Sequence, residues 1–236
     1  MQQLTGVTRA IAFDLDGTLI DSAPDLAAAA NRMLAHLGLR ALPERRIAAL
    51  IGDGVDQLVS RVLAASAGPR PAPRPAEAET ARALFHRLYG EQLFERSRVY
   101  PGVHAGLAAL RRAGLRLCCI TNKAACFARP LLEAAQLAAH FDFTLCPEAE
   151  DDRKPSPKLL LAACRRLGVG PAELLFVGDS RTDVGAARAA GCRVIAVDYG
   201  YHRGAPEELG ADARIGSVTD LLTHAATGPL LRKSSV

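Results

Sequence analysis

The chain has 236 residues, 49% hydrophobic and 23% charged, enough to bury one large core or two modest ones. Its net charge of +4 is mild and its aromatic content of 5% leaves few stacking platforms, which argues against a nucleic-acid binder. No run approaches the roughly 20 apolar residues of a membrane span, and the start lacks a secretory leader pattern, so a cytoplasmic protein that uses no membrane is expected.

Residues 9–13 form a short apolar run that stops at Asp14 and reads as a buried strand. A helix is predicted from residue 23 to about 37, with Ser22 as its N-cap. Three more helices are predicted over 44–50, 53–65 and 76–96, and the proline-rich stretch at 68–75 reads as a stiff loop between the last two. After Tyr100-Pro101-Gly102 the pattern changes. Short strand-like runs at 115–120, 143–146, 174–177 and 194–197 alternate with helical segments. That alternation predicts an α/β fold, a Rossmann-like parallel sheet with helices on both faces. The six cysteines form no C-x-x-C pair and several sit in apolar runs, so buried free thiols are expected.

Ligands of such sheets bind beyond the carboxyl ends of the strands. The first strand runs into Asp14-Leu15-Asp16-Gly17-Thr18, the next into Thr121-Asn122-Lys123, and the fourth into Gly178-Asp179-Ser180 with Asp183 a turn later; Lys154 precedes that fourth strand. Each piece alone has an ordinary reading. Asp-x-Asp-Gly echoes a calcium loop, but the glycine comes too early and position twelve is Asp25 rather than glutamate. Asp16-Gly17 could be a hairpin turn, with residues 18–20 returning as a small flap. Asp179 and Ser180 could simply cap a helix, yet a cap needs one acid and two face this rim. The ordered set, carboxylates with amide, hydroxyl and cation on one edge, is what points to chemistry.

In these motifs, with Lys154-Pro155-Ser156-Pro157, the chain resembles the haloacid dehalogenase superfamily of phosphohydrolases. The resemblance implies a core of residues 1–20 and 99–236, and a helical cap domain over 21–98. It implies Asp14 as nucleophile and Asp16 as general acid and base. Thr121, Asn122 and Lys154 are then expected to bind phosphate. Magnesium (Mg2+) is expected on Asp14, the Asp16 carbonyl and Asp179, supported by Asp183 and Ser180. Within the superfamily, Asp21-Ser22, Ile51-Gly52-Asp53-Gly54 and Tyr199-Gly200-Tyr201 are similar to the phosphoglycolate phosphatase branch, which implies a small phosphorylated metabolite, 2-phosphoglycolate, as substrate. Gly52, Asp53 and Gly54 are candidates for a specificity loop, and Arg45 for a fork that grips the substrate carboxylate. A monomer or homodimer is expected. A phosphonate-cleaving relative would need a cap lysine, and no lysine occurs before Lys123. A sugar-phosphate mutase would use the same carboxylate pair, and a silent binding module would not need it.

Overall fold

The computed structural model describes residues 8–67, 75–201 and 204–226; residues 68–74, most of the predicted stiff loop, lie outside them. Six parallel strands make one sheet: β1 (Ala10–Phe13), β4 (Arg116–Ile120), β5 (Phe143–Leu145), β6 (Leu174–Gly178), β7 (Arg193–Val197) and β8 (Ala213–Ile215), in the order β5-β4-β1-β6-β7-β8. β1 sits inside the sheet, flanked by β4 and β6, with Phe13 opposite both Cys119 and Val177.

The pleat sorts β1 onto two cores, because successive side chains point to opposite faces. Ile11 and Phe13 join one apolar cluster with α5 (Val103–Arg112), α6 (Ala125–Ala134) and α9 (Leu221–Ala226). Ala10 and Ala12 join the other with α7 (Lys158–Leu167) and α8 (Arg181–Ala190). The predicted parallel sheet, covered on both faces, is therefore present. Among the described residues no helix is long and apolar enough to cross a membrane. Cys118, Cys119, Cys164 and Cys192 are buried thiols as expected, whereas Cys126 is exposed and Cys146 half-buried.

Between β1 and β4 the chain makes a helical layer: α1 (Ala23–His36), α2 (Glu44–Ala48), α3 (Val55–Ala67) and α4 (Pro75–Gly90). These gather round their own cluster, in which Leu26, Met33, Leu58, Val62 and Phe85 are buried, and Phe127 of α6 reaches into it. The layer is entered through β2 (Ile20–Asp21) and left through β3 (Arg98–Val99), which pair antiparallel with Ile20 opposite Val99. The anticipated flap thus exists, but its partner lies far along the chain. Buried Asp25 ties the same place, accepting hydrogen bonds from the Arg96 and Ser97 backbones and from the Ser97 hydroxyl.

Two helix ends differ from expectation. α4 stops at Gly90 rather than running to 96, since glycine is a poor helix residue and the Arg96 amide is claimed by Asp25 at 2.8 Å. Ser22 stands at the N-cap of α1 but makes no capping bond; its hydroxyl donates to Asp16 instead, at 2.5 Å.

Candidate active site

Asp14 is the first residue past β1, and its amide still donates to Val177 of β6 at 2.9 Å, so its carboxylate is held by the sheet itself. Lys154 comes to it from the connection between β5 and α7. Its buried ammonium lies 2.7 Å from Asp14 Oδ1, 2.7 Å from Asp183 Oδ1 and 3.2 Å from the Ile120 carbonyl, which uses all three of its donors. Burial pushes this ammonium toward its neutral form, but the two carboxylates outweigh that and hold its pKa above the ordinary lysine value.

Asn122 explains why the lysine is so placed. Its Oδ1 accepts from the Lys154 amide at 2.8 Å, and its Nδ2 donates to the Lys154 carbonyl at 3.0 Å and to the Gly52 carbonyl at 3.3 Å. The side chain expected to donate to phosphate is committed to the Lys154 backbone. Thr121, buried at the end of β4, accepts from the Lys123 amide through its hydroxyl oxygen, whose own proton is left to donate elsewhere.

Asp14 and Asp183, the two partners of Lys154, belong to an acidic cluster: one carboxylate oxygen each from Asp14, Asp179 and Asp183 lies within 4.8 Å of the others. Asp183 closes a capping box with Ser180 at the start of α8, its Oδ2 accepting from the Asp179 and Ser180 amides and the Ser180 hydroxyl. Capping and rim are thus one arrangement. Asp179 lies in a cradle: a Cβ on Gly17, at φ +86°, would stand 2.3 Å from its Oδ2, and one on Gly200 would stand 2.1 Å from its Cβ. Tyr201 donates its amide to Asp179 Oδ2 at 2.6 Å.

Three buried carboxylates against one ammonium leave the cluster short of positive charge. Burial, with the neighbouring charges of Asp183 and Asp16, lifts the Asp14 carboxyl to about 7 against the pull of Lys154. Burial, then Asp183 and Asp14, pushes Asp179 well above the usual carboxylate range. Hard oxygen donors with unmet negative charge fit a divalent cation.

Asp16 faces a different cation. Lys123 Nζ lies 2.9 and 3.1 Å from its two oxygens and 4.8 Å from the centroid of the Tyr89 ring, a residue of α4. Lys123 is fully buried in this arrangement, and its role beside Asp16 was not foreseen from the sequence. The available signal was its place: a cation directly after Thr121-Asn122 on a rim otherwise rich in acid.

A cavity of about 30 Å³ separates the two layers. Its core side is Asp14, Asp16, Thr121, Asn122 and Lys123; its other side is Leu26, Ile51, Gly52, Gly54, Val55 and Leu58. The predicted specificity loop therefore reaches the site. Asp53 looks away from it, paired with Arg61 at 2.5 Å and accepting from the Thr182 hydroxyl at 3.1 Å. Gly54, at φ +90°, leaves room for the Arg153 guanidinium, which also donates to the Asn122 carbonyl at 3.1 Å. Arg45 is not brought to the site; it is exposed on α2 and lines no part of the cavity.

Fold and site together bring carboxylates and cations to the carboxyl edge of a parallel sheet. The family model for haloacid dehalogenase-like hydrolases matches residues 8–191, and the chain belongs to that family. It is 44% identical over 228 residues to a phosphoglycolate phosphatase of Nitrosospira multiformis, covering 96% of this chain and 97% of that one. It is 41% identical over 229 residues to the phosphoglycolate phosphatase of Escherichia coli K12, covering 91% of each. Among solved structures it is similar to a predicted phosphoglycolate phosphatase of Haemophilus somnus, with a TM-score of 0.87 and 33% identity, covering 92% of this chain and 97% of the other.

Proposed function

We propose that the protein hydrolyses 2-phosphoglycolate to glycolate and phosphate, with magnesium as its cation and Asp14 as its nucleophile. The observation that carries this reading is that Asp14 and Asp16 line one cavity, Asp14 paired with Lys154 and Asp16 with Lys123. Two carboxylates two residues apart, each on its own cation, are separated in role by their surroundings. The names of the relatives support the substrate.

Asp14 attacks phosphorus, taking the phosphoryl group onto its carboxylate as the bond to the glycolate oxygen breaks. Asp16 gives its proton to that departing oxygen, then takes one from the water that cleaves the acyl phosphate, so phosphate leaves and Asp14 is restored. Thr121 donates its hydroxyl proton to the phosphoryl group, and Lys154 balances the charge on Asp14. Asn122 acts by fixing Lys154. Asp14, the Asp16 carbonyl and Asp179, with Asp183 and Ser180 in support, would hold magnesium, which would supply the positive charge that Lys154 alone does not. Helices α1–α4 form the cap, which excludes water and selects the substrate through the Gly52–Gly54 loop.

The test is kcat/KM for 2-phosphoglycolate against a panel of sugar phosphates and simple alkyl phosphates, with magnesium and with chelator. Preference for 2-phosphoglycolate, lost on chelation and restored by magnesium, is expected. A preferred sugar phosphate, or full activity after exhaustive metal removal, sinks the corresponding half of the proposal.

A further inference from the structure

The proposed substrate carries a second anion, its carboxylate, and any partner assigned to that group rests on the proposed substrate being correct. A carboxylate enclosed with the phosphoryl group needs a cation or hydrogen-bond donors, because burying an unpaired charge is costly. The cap side of the cavity offers Leu26, Ile51, Val55 and Leu58, whose side chains cannot pair with it. Arg45 stands outside. Lys154 lies behind Asp14 with its donors spent on Asp14, Asp183 and the Ile120 carbonyl.

We propose that Lys123, on the core, is the residue that recognises the substrate carboxylate and sets the preference for a short phosphorylated acid. Among the described residues Lys123 is the cationic residue that lines the cavity. Two of its three donors meet the oxygens of Asp16, and the third, which has the Tyr89 side chain as its neighbour, is the one that can turn to an oxygen of the ligand. The Tyr89 ring at 4.8 Å steadies the ammonium from the cap side. Spacing selects chain length. Asp16 lies two residues from Asp14, at most about 7 Å between Cα atoms, so an ammonium on Asp16 can meet a carboxylate only if a short tail joins it to the phosphoryl group. Across the cavity from Lys123 lies the start of α3, where Gly52 and Gly54 expose backbone. The first-turn amides of a helix have no intrahelical acceptor and favour an anion.

The experiment compares 2-phosphoglycolate with ethyl phosphate, which is of similar length but lacks the carboxylate, in wild type and in Lys123→Met. Both substrates need Asp16, so the readout is the ratio of the two kcat/KM values. That ratio is expected to fall at least about tenfold in Lys123→Met, the worth of a hydrogen bond to a charged group, chiefly through KM for 2-phosphoglycolate. Binding by calorimetry should agree: 3-phosphonopropionate should weaken by a similar factor and propylphosphonate much less. Lys123→Arg should keep part of the ratio. If Lys123→Met lowers both substrates equally, or leaves the ratio intact, Lys123 serves Asp16 alone and the inference is wrong. Should that variant not fold, Lys123→Gln, which still donates to Asp16, is read in the same way. A wild type with no preference for 2-phosphoglycolate over ethyl phosphate removes the substrate assignment itself, an outcome distinct from an unchanged ratio in the variant.

Discussion

Replacing Lys154 by methionine keeps the aliphatic stem but removes the ammonium that Asp14 and Asp183 share at 2.7 Å each. At an effective dielectric of about 20, each of those pairs is worth about 6 kcal/mol of Coulomb energy before desolvation is counted. Taking one partner out of a buried pair typically costs a net 3–5 kcal/mol or so, because the remaining charge stays buried. For a chain of this size that corresponds to a fall in Tm of roughly 6–20 °C. Lys154 itself does not titrate in the usual range. Its folded pKa lies above the ordinary value, so its contribution is complete below that ordinary value and is lost only as pH rises through the folded one. Asp14, already lifted to about 7, can relieve part of the loss by taking up a proton. The deficit should therefore be larger at pH 8 than at pH 6. Thermal melts in chelator at both pH values measure it, with phosphate release in magnesium as the functional check. A Tm loss under about 3 °C at pH 8, or a kcat within twofold of wild type, would refute the reasoning.

Asp14→Asn should fold normally and release no phosphate above background, since the amide is nearly isosteric but a poor nucleophile; wild-type turnover in the purified variant would exclude the aspartyl-phosphate route. Gly17→Ala puts a Cβ 2.3 Å from Asp179 Oδ2 at a φ of +86°, so the magnesium needed for half-maximal rate should rise about tenfold or more, and an unchanged metal titration would count against the Asp179 assignment. Metal-free wild type should gain stability as pH falls from 8 toward 5. Asp14 moves from an ordinary 3.8 to about 7 on folding and Asp179 also moves up, so the folded state binds more protons across that window, worth up to about 1.4 kcal/mol per pH unit for each group. Bound magnesium should flatten that profile, and a flat profile in chelator would contradict the charge deficit.

Much of this site was legible because its groups sit at strand ends. Apolar runs that stop at Asp14, Thr121 and Asp179 announce both a buried strand and the residue that leaves it. What escaped reading depends on pairings that local pattern does not encode. β8 has only Ala213–Ile215, with exposed Arg214 in the middle, too short for periodicity to register. The β2–β3 pair joins residues far apart in the chain, so neither strand has a local signature. Asn122 looked like a phosphate donor because an amide at a rim can be one; only the fold reveals that the Lys154 backbone occupies both ends of it. Arg45 has the chemistry to grip a carboxylate, but the turn of α2 carries it to solvent. Lys123 stands in a motif legible in the sequence, while its pairing with Asp16 exists only in three dimensions.

The β2–β3 pair has an implication for how such a protein diversifies. Ile20 and Val99, Asp21 and Arg98 stand side by side, so the helical layer hangs from the sheet by two adjacent strands, like a tool on a single socket. A segment whose ends already touch can be lengthened, shortened or exchanged without moving the sheet that feeds it, because the closure entropy is met at the socket whatever the loop carries. Grafting the intervening segment of another family member between Asp21 and Arg98 would be a route to new substrates on an unchanged catalytic floor. The contacts such a graft has to match across the joint include the Ser22 hydroxyl on Asp16, the Gly52 carbonyl on Asn122, the Asp53 carboxylate on Thr182 and the Tyr89 ring on Lys123.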